Sequence, residues 1–120
     1  MEGIGILLLL SFKHVFADYF LQKSWMLKDK SIYGAQGGIA HATTHTIGSL
    51  IVLFPFYNPL LILFLSILDG VVHYHIDYLK SNYWKDNSLT KNDAKFWMVH
   101  GVDQFAHYLT YILIATILVI

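Results

Sequence analysis

The chain has 120 residues, of which 56% are hydrophobic and 13% are charged, and its formal net charge is 0 at pH 7. Soluble domains carry about 25% charged residues, so this composition indicates a membrane protein, and the length indicates one domain. The neutral charge excludes the basic surface that nucleic-acid binding needs. The lack of cysteine excludes disulfides, thiolate metal sites and thiol nucleophiles.

Four apolar segments follow one another along the chain, each near the ~20 residues that a helix needs to span a bilayer. They run over about residues 3–22, 38–57, 59–79 and 94–120. Pro59 suits the first turn of the third helix, and the stretch FYNP before it indicates a tight turn. The sequence therefore predicts an all-α membrane protein, in which residues 1–120 form a single bundle of four transmembrane helices.

Lysines predict the orientation of this bundle. All lysines except Lys13 lie in or beside the connections after the first and third helices: Lys23, Lys28, Lys30, Lys80, Lys85, Lys91 and Lys95. The connection between the second and third helices has no charge. By the positive-inside rule, the lysine-rich connections are cytoplasmic and both termini face outward. The predicted location is a bacterial inner membrane, or the membrane of the host cell if the gene belongs to a phage.

All histidines lie within or at the edge of the apolar segments, together with several aspartates. Residues spaced by three or four share one face of a helix, so each helix carries a polar stripe. The stripes consist of His14 and Asp18; His41 and His45; Asp69, His73 and Asp77; and His100, Asp103 and His107. Most of these residues lie within ~15 Å of the cytoplasmic boundary. The sequence thus predicts a polar His/Asp core near the cytoplasmic side.

Imidazole and carboxylate groups in this density are typical ligands of divalent metals, and helical bundles build such sites from i, i+3 or i, i+4 pairs. We expect one or two ions, with zinc preferred and manganese or iron as alternatives. The predicted metal ligands are His14, His41, His45, His73, Asp77 and His107. The predicted catalytic residues are Asp18 and Asp103, which could instead complete a second metal site.

Other polar residues are predicted to support the site. Those expected to orient the ligands are Gln22, Asp69, His100 and Gln104. His75 follows His73 by two residues and lies roughly on the opposite helix face, so it is left out of the site. Lys13, deep in the first helix, is expected to pair with an aspartate of the core or to extend towards the interface.

Four fragments of the chain carry a resemblance to a known family: HVFADYFLQKSW, HATTH, HYHIDYLK and DQFAH. In this order they resemble the bacterial and phage membrane family catalogued as domain of unknown function 3307. Its pattern falls on His14, Asp18, Gln22, Trp25, Met26, His41, His45, His73, Asp77, Asp103, Gln104 and His107. The resemblance covers nearly the whole chain but implies no established activity. A looser similarity to membrane-bound metal-dependent hydrolases is an analogy.

A bound metal ion makes hydroxide from water near neutral pH, which suits hydrolysis. We therefore predict a metal-dependent hydrolase that acts at the cytoplasmic leaflet on a lipid or phosphate-containing substrate. Membrane lipid is the expected partner, nucleic acid is not, and a homodimer is one option. The same residue types allow a metal-ion or proton transporter or relay and a haem-binding bundle. They also allow a non-enzymatic membrane interaction protein with a structural metal or polar core.

Overall fold

A computed structural model describes residues 2–120, and the regular structure over that range is entirely helical. Five α-helices follow one another: α1 (Gly3–Val15), α2 (Ser24–Leu27), α3 (Gln36–Leu53), α4 (Pro59–Asp86) and α5 (Ala94–Val119). A π-helical segment, Phe16–Leu21, continues α1, and a 3₁₀ turn, Phe54–Phe56, continues α3. The all-helical prediction is confirmed.

Four helical stretches are long and apolar enough to cross a membrane: Gly3–Leu21, Gln36–Phe56, Pro59–Asp86 and Ala94–Val119. Each corresponds to one of the segments predicted from the sequence. The largest difference is the end of α4, which continues to Asp86 rather than stopping at Leu79. The polar sequence KSNYWKD ends the hydrophobic segment, but it contains no Gly or Pro that would stop a helix. At ~1.5 Å per residue, α4 is therefore longer than the ~30 Å of a bilayer core.

Two smaller differences concern the first connection. The helix α3 begins at Gln36, before the predicted start at residue 38, and the short helix α2 lies in the connection between the first and second predicted helices. The sequence YGAQGG leads into α3, and its Gly34 has a positive φ of 83° and provides the turn before this helix. These differences leave the four-helix architecture unchanged.

The turn between α3 and α4 is fixed by local chemistry. The Asn58 side chain accepts hydrogen bonds from the backbone N–H groups of Leu60 at 2.9 Å and Leu61 at 3.3 Å. It thereby caps the first turn of α4. Pro59 occupies a position where a backbone N–H would have no helical partner. The chain can therefore reverse within a few residues and place α4 beside α3.

The four long helices pack as a closed ring, in which α1 contacts α3 and α5, and α4 contacts the same two helices. Gly70 permits the close approach of α4 to α3. A Cβ atom at Gly70 would overlap the Thr46 side chain and would lie 3.2 Å from the carbonyl oxygen of Ala42. The close approach at Gly70 brings the polar stripe of α3 next to that of α4.

The interior of the bundle is divided along its length. The half near the α3–α4 turn contains a mainly apolar cluster: Ile6, Leu10, Leu53, Ile62, Leu65, Tyr111, Ile114 and Ala115. The other half, next to the lysine-rich connections, buries the histidines and aspartates of the polar stripes. The apolar half closes one end of the bundle, and the polar half forms the candidate site.

Candidate metal centre

Side chains from α3, α4 and the π-helical segment converge on one buried point. His41 Nε2 lies 3.1 Å from Asp18 Oδ1, and His45 Nε2 lies 2.8 Å from the same oxygen. His73 Nε2 lies 3.1 Å from His41 Nε2. One potential ligand atom from each of Asp18, His41, His45 and His73 lies within 4.8 Å of all the others, so this group could hold a metal ion.

A second group adjoins the first and consists of His73, Asp77 and His107. His73 Nε2 lies 3.1 Å from Asp77 Oδ2, and His107 Nε2 lies 3.3 Å from Asp77 Oδ1. His73 belongs to both groups, and its Nε2 is the atom that faces both His41 and Asp77. One nitrogen lone pair binds one ion, so the two groups cannot both use this atom at the same time.

The spacing of the donor atoms fits a small divalent cation. Ligands ~2.0–2.1 Å from a tetrahedral zinc ion lie ~3.3 Å apart. Five contacts that join Asp18, His41, His45, His73 and Asp77 run from 2.8 to 3.6 Å, and the four ligand atoms of the first group lie within 4.8 Å of one another. Imidazole nitrogen and carboxylate oxygen also suit manganese and iron, so the donor set agrees with all three predicted metals.

The protonation of the imidazoles supports the same conclusion. Two N–H groups cannot point at each other across 3.1 Å, so His41 or His73 presents an Nε2 lone pair to the other. The Nδ1 atoms of both rings are buried and make no hydrogen bond within residues 2–120. Carboxylate oxygens of Asp18 and Asp77 lie 3.1 Å from the Nε2 atoms of His41 and His73, so a ring that donates from Nε2 must move its proton to bind a metal there. Because Nδ1 accepts no hydrogen bond in either ring, that atom can carry the proton while Nε2 presents its lone pair.

His14, which the sequence placed among the ligands, makes contacts that suit a different role. Its Nε2 lies 3.0 Å from Asp18 Oδ2 and 3.1 Å from Gln104 Oε1, and its Nδ1 lies 2.6 Å from the Tyr111 hydroxyl. Two oxygen acceptors at Nε2 favour the tautomer that donates from this atom, while Tyr111 donates to Nδ1. In that tautomer His14 donates to the Asp18 carboxylate and has no lone pair at Nε2 for a metal ion.

Asp18, predicted to be catalytic, lies in the four-residue metal-capable group. It belongs to the π-helical segment Phe16–Leu21, which ends at Gln22. Segments of this kind are frequent at functional sites, because the wider turn displaces the backbone from regular α-helical geometry. The Gln22 side chain donates to the Asp18 carbonyl oxygen at 3.2 Å, and this contact stabilises the end of the segment.

A buried ion pair lies at the end of the centre that adjoins the apolar half of the bundle. Lys13 Nζ lies 2.6 Å from Asp69 Oδ2, 3.1 Å from His45 Nδ1 and 3.3 Å from the Tyr111 hydroxyl. The Ser49 hydroxyl donates to the same Asp69 oxygen at 2.5 Å. Lys13 thus pairs with an aspartate of the core, one of the two outcomes expected for it. This ion pair separates the metal-capable groups from the apolar half of the bundle.

A carboxylate from α5 lies on the side towards the lysine-rich connections. Asp103 Oδ2 accepts from Lys80 Nζ at 3.1 Å and from Gln104 Nε2 at 3.0 Å, and lies 3.5 Å from His107 Nε2. Its Oδ1 is buried and has no hydrogen-bond partner in the described part of the chain. Asp103 therefore presents one carboxylate oxygen without a protein donor beside the second metal-capable group.

Two histidines lie away from the convergence point. The ring contacts of His100 within the described residues are with Trp84 and Trp97, at centroid distances of 6.3 and 6.0 Å. His75 is exposed, and its Nε2 lies 2.9 Å from the Tyr33 hydroxyl. Among the described residues, neither histidine belongs to a metal-capable group.

Sequence reasoning missed three residues that contact this network: Lys30, Ser49 and Tyr111. Ser49 follows His45 by four residues, and Tyr111 follows His107 by four, so an extension of each stripe would have found them. Lys30 Nζ lies 2.9 Å from Asp77 Oδ2. No sequence signal distinguishes Lys30 from the other lysines of its connection, because only the tertiary fold brings that connection over the centre.

Comparisons with known proteins give a single result. The family model described as "Protein of unknown function (DUF3307)" matches residues 6–120, which is nearly the whole chain. The chain therefore belongs to this family, as its four fragments indicated. No curated protein and no solved structure matches the chain.

Proposed function

We propose that this member of the DUF3307 family is an integral membrane protein and a metal-dependent hydrolase. It acts at the cytoplasmic leaflet on a lipid or phosphate-containing substrate. The observation that carries the proposal is the convergence of Asp18, His41, His45 and His73, whose ligand atoms lie within 4.8 Å of one another inside the bundle. The expected cofactor is one divalent ion at this point, with zinc preferred.

The distribution of polarity supports a membrane location. The outward side chains of α1 include Ile4, Leu8 and Phe12, which are 75, 66 and 69% exposed. His41 and His73, by contrast, are each 1% exposed. A bundle surrounded by water would place its polar side chains outside and its apolar side chains inside. A bundle surrounded by hydrocarbon favours apolar side chains outside and paired polar groups inside. By the positive-inside rule, the lysine-rich end that contains the centre faces the cytoplasm and both termini face outward.

The chemistry proposed for the centre needs a nucleophile and a base. A divalent ion held here supplies hydroxide from bound water near neutral pH. The unpartnered Oδ1 of Asp103 can accept a proton, while Lys80 and Gln104 hold the other oxygen of this carboxylate in place. Because Asp18 lies within the metal-capable group, the role of general base falls to Asp103.

An activity assay tests this assignment. Metal-loaded protein in detergent is given a soluble phosphate ester and phospholipid substrates, and is compared with Asp103→Asn and with the control Asp86→Asn, which changes an exposed acid at the end of α4. We expect metal-dependent hydrolysis that falls by ~10²–10⁴-fold in Asp103→Asn, with bound metal retained and the control unaffected. Metal-loaded protein that hydrolyses none of these substrates would overturn the hydrolase proposal.

A metal-ion or proton relay is the second candidate, and one observation favours it. The polar network continues past the metal-capable groups to Lys13, Asp69 and Ser49. Beyond Asp69, apolar side chains such as Leu10 and Leu65 fill the interior, which argues against a continuous path through one copy. Uptake of metal or protons into liposomes without any hydrolysis would favour the relay over the hydrolase.

A further inference from the structure

A cavity of about 300 Å³ with a mixed polar and apolar lining lies beside the metal-capable groups at the lysine-rich end of the bundle. The connection that leads into α3 forms one wall, and α4 forms the other. Its lining consists of Leu27, Lys30, Ser31, Lys80, Ser81 and Trp84. Two lysines, two serines and a tryptophan thus line one space together with Leu27. The two lysines supply the positive charge, and the serines the hydroxyl donors, that a small anion needs.

Both lysines connect this cavity to the centre. Lys30 Nζ lies 2.9 Å from Asp77 Oδ2, and Lys80 Nζ lies 3.1 Å from Asp103 Oδ2. Their side chains are only 8 and 12% exposed, so they differ from the freely hydrated lysines of a surface. Lys80 Nζ also lies 4.9 Å above the Trp84 ring, which restricts its position. The two ammonium groups are therefore fixed between the cavity and the carboxylates of the centre.

A divalent ion adds positive charge to a centre whose charges are nearly balanced. Its ion pairs involve four carboxylates (Asp18, Asp69, Asp77 and Asp103) and three ammonium groups (Lys13, Lys30 and Lys80). These groups leave one net negative charge with neutral histidines, and none if His107, which contacts both Asp77 and Asp103, is protonated. A single divalent ion gives a net positive charge in either case. A buried, unbalanced charge costs free energy, so the metal-loaded centre favours the binding of an anion.

Asp77 links the two events. Its Oδ2 pairs with Lys30 and lies 3.6 Å from His41 Nε2 and 3.1 Å from His73 Nε2. An ion held by these two imidazoles would therefore lie close to Asp77 and weaken the attraction that holds the Lys30 ammonium group. Lys30 then has a positive charge available to a second anion in the cavity that it lines. The ion pair between Lys80 and Asp103 lies outside both metal-capable groups within the described residues and remains at the opposite wall.

We propose that this cavity binds the phosphate group of the substrate through Lys30 and Lys80, and that it does so only when a divalent ion occupies the centre. The inference rests on the proposed function and adds the substrate class, a phosphate monoester or a phospholipid head group, which share this chemistry. It also adds an order of binding, with the metal before the anion. Ser31 and Ser81 supply further hydrogen-bond donors to the phosphate oxygens.

The test measures phosphate binding directly and does not depend on turnover. Equilibrium dialysis of inorganic phosphate is carried out on the detergent-solubilised full chain, both metal-loaded and treated with chelator. Lys30→Met and Lys80→Met are compared with Lys28→Met, which removes an exposed lysine of the same connection. We expect phosphate to bind the metal-loaded parent and the control alike, with affinity ~10–100-fold weaker in each cavity variant, the effect of one charge-assisted hydrogen bond.

Lys80→Met is the decisive variant, because Lys80 contacts neither metal-capable group and its loss should leave the metal bound. Metal content and the unfolding midpoint are recorded for each variant, so that loss of metal or of fold is not mistaken for loss of the phosphate site. Phosphate affinity unchanged in a metal-loaded Lys80→Met protein would overturn the inference. Phosphate binding that persists unweakened in chelator would overturn it equally.

Competition with phospholipid micelles distinguishes the two sources of phosphate. Phosphatidic acid micelles that displace inorganic phosphate, where phosphatidylcholine micelles do not, would support a lipid head group with an exposed phosphate. Phosphate binding that neither lipid affects would support a soluble monoester. A parent protein that holds metal but binds no phosphate would overturn this inference and leave the hydrolase proposal in place. A parent without metal would overturn both, and the metal content tells these results apart.

Discussion

The buried ion pair between Lys13 and Asp69 gives the most quantitative prediction for stability. Its side chains are 3 and 2% exposed, and the Nζ–Oδ2 distance is 2.6 Å. With an effective dielectric constant of ~20, two unit charges at this distance attract by about 6 kcal/mol, which offsets the removal of both from water. Replacing Lys13 with Met leaves the Asp69 carboxylate buried, with the Ser49 hydroxyl as its remaining partner.

We expect Lys13→Met to lower the free energy of unfolding by about 3–5 kcal/mol, the usual loss when one member of a buried pair is removed. Lys13→Met/Asp69→Leu removes both charges while roughly conserving side-chain volume, so it should recover more than half of that loss. Unfolding is followed by circular dichroism during titration of SDS into mixed micelles, in excess chelator so that metal binding does not contribute. A single variant within about 1 kcal/mol of the parent, or a double variant no more stable than the single, would refute this reasoning.

Three further predictions concern metal affinity and helix packing. His14→Asn should weaken metal binding ~10–100-fold without changing the stoichiometry, as expected for a residue that orients Asp18. Competition with a chromophoric chelator measures this affinity. Complete loss of the bound ion would instead identify His14 as a ligand. Metal affinity should fall as the pH is lowered, because protons compete with the metal for the imidazoles and the carboxylate. A chelator competition carried out over a range of pH measures this, and an affinity independent of pH would contradict histidine ligation. Gly70→Leu should lower the free energy of unfolding of the bundle by at least ~1–3 kcal/mol, because the new side chain would overlap Thr46. Gly101→Leu should be nearly neutral, because a Cβ atom there would meet no described atom within 4 Å. Equal effects of the two variants in SDS titrations would argue against the close approach of α3 and α4.

The architecture was predictable from the sequence because the hydrophobic segments are long and clearly separated. The spacing of His41 with His45 and of His73 with Asp77 also predicted which helix faces meet, since residues four apart share a face in any α-helix. Helix ends were less predictable. Hydrophobicity located the membrane-length part of α4, but the helix continues to Asp86 through polar residues that hydropathy does not recognise as helical.

The sequence predicted which residues belong to the site better than it predicted the role of each residue there. Periodicity places His14 and Asp18 on one face, but it cannot say which of them approaches His41 and His45. That depends on the π-helical segment and on the Tyr111 hydroxyl, which occupies His14 Nδ1. These contacts arise from the packing of α1 against α5, and sequence spacing within one helix carries no information about them.

Lys30 is a residue of a connection whose tertiary contact could likewise not be predicted from the sequence. A lysine in a cytoplasmic connection is expected to be hydrated, and the positive-inside rule uses it only as a charge. Here the connection turns back over the bundle, and Lys30 reaches Asp77 with only 8% of its side chain exposed. A contact between residues so far apart in sequence depends on the complete tertiary fold.

We expect the converging histidines and aspartates to hold a divalent metal ion. Elemental analysis of the detergent-purified protein measures this, with His45→Ala/His73→Ala as the site variant and His75→Ala, which changes an exposed histidine on the same helix as His73, as the control. The parent and the control should contain about one equivalent of zinc, manganese or iron, and the site variant none. A folded parent that contains no metal even after supplementation, or a site variant that keeps its metal, would contradict this expectation.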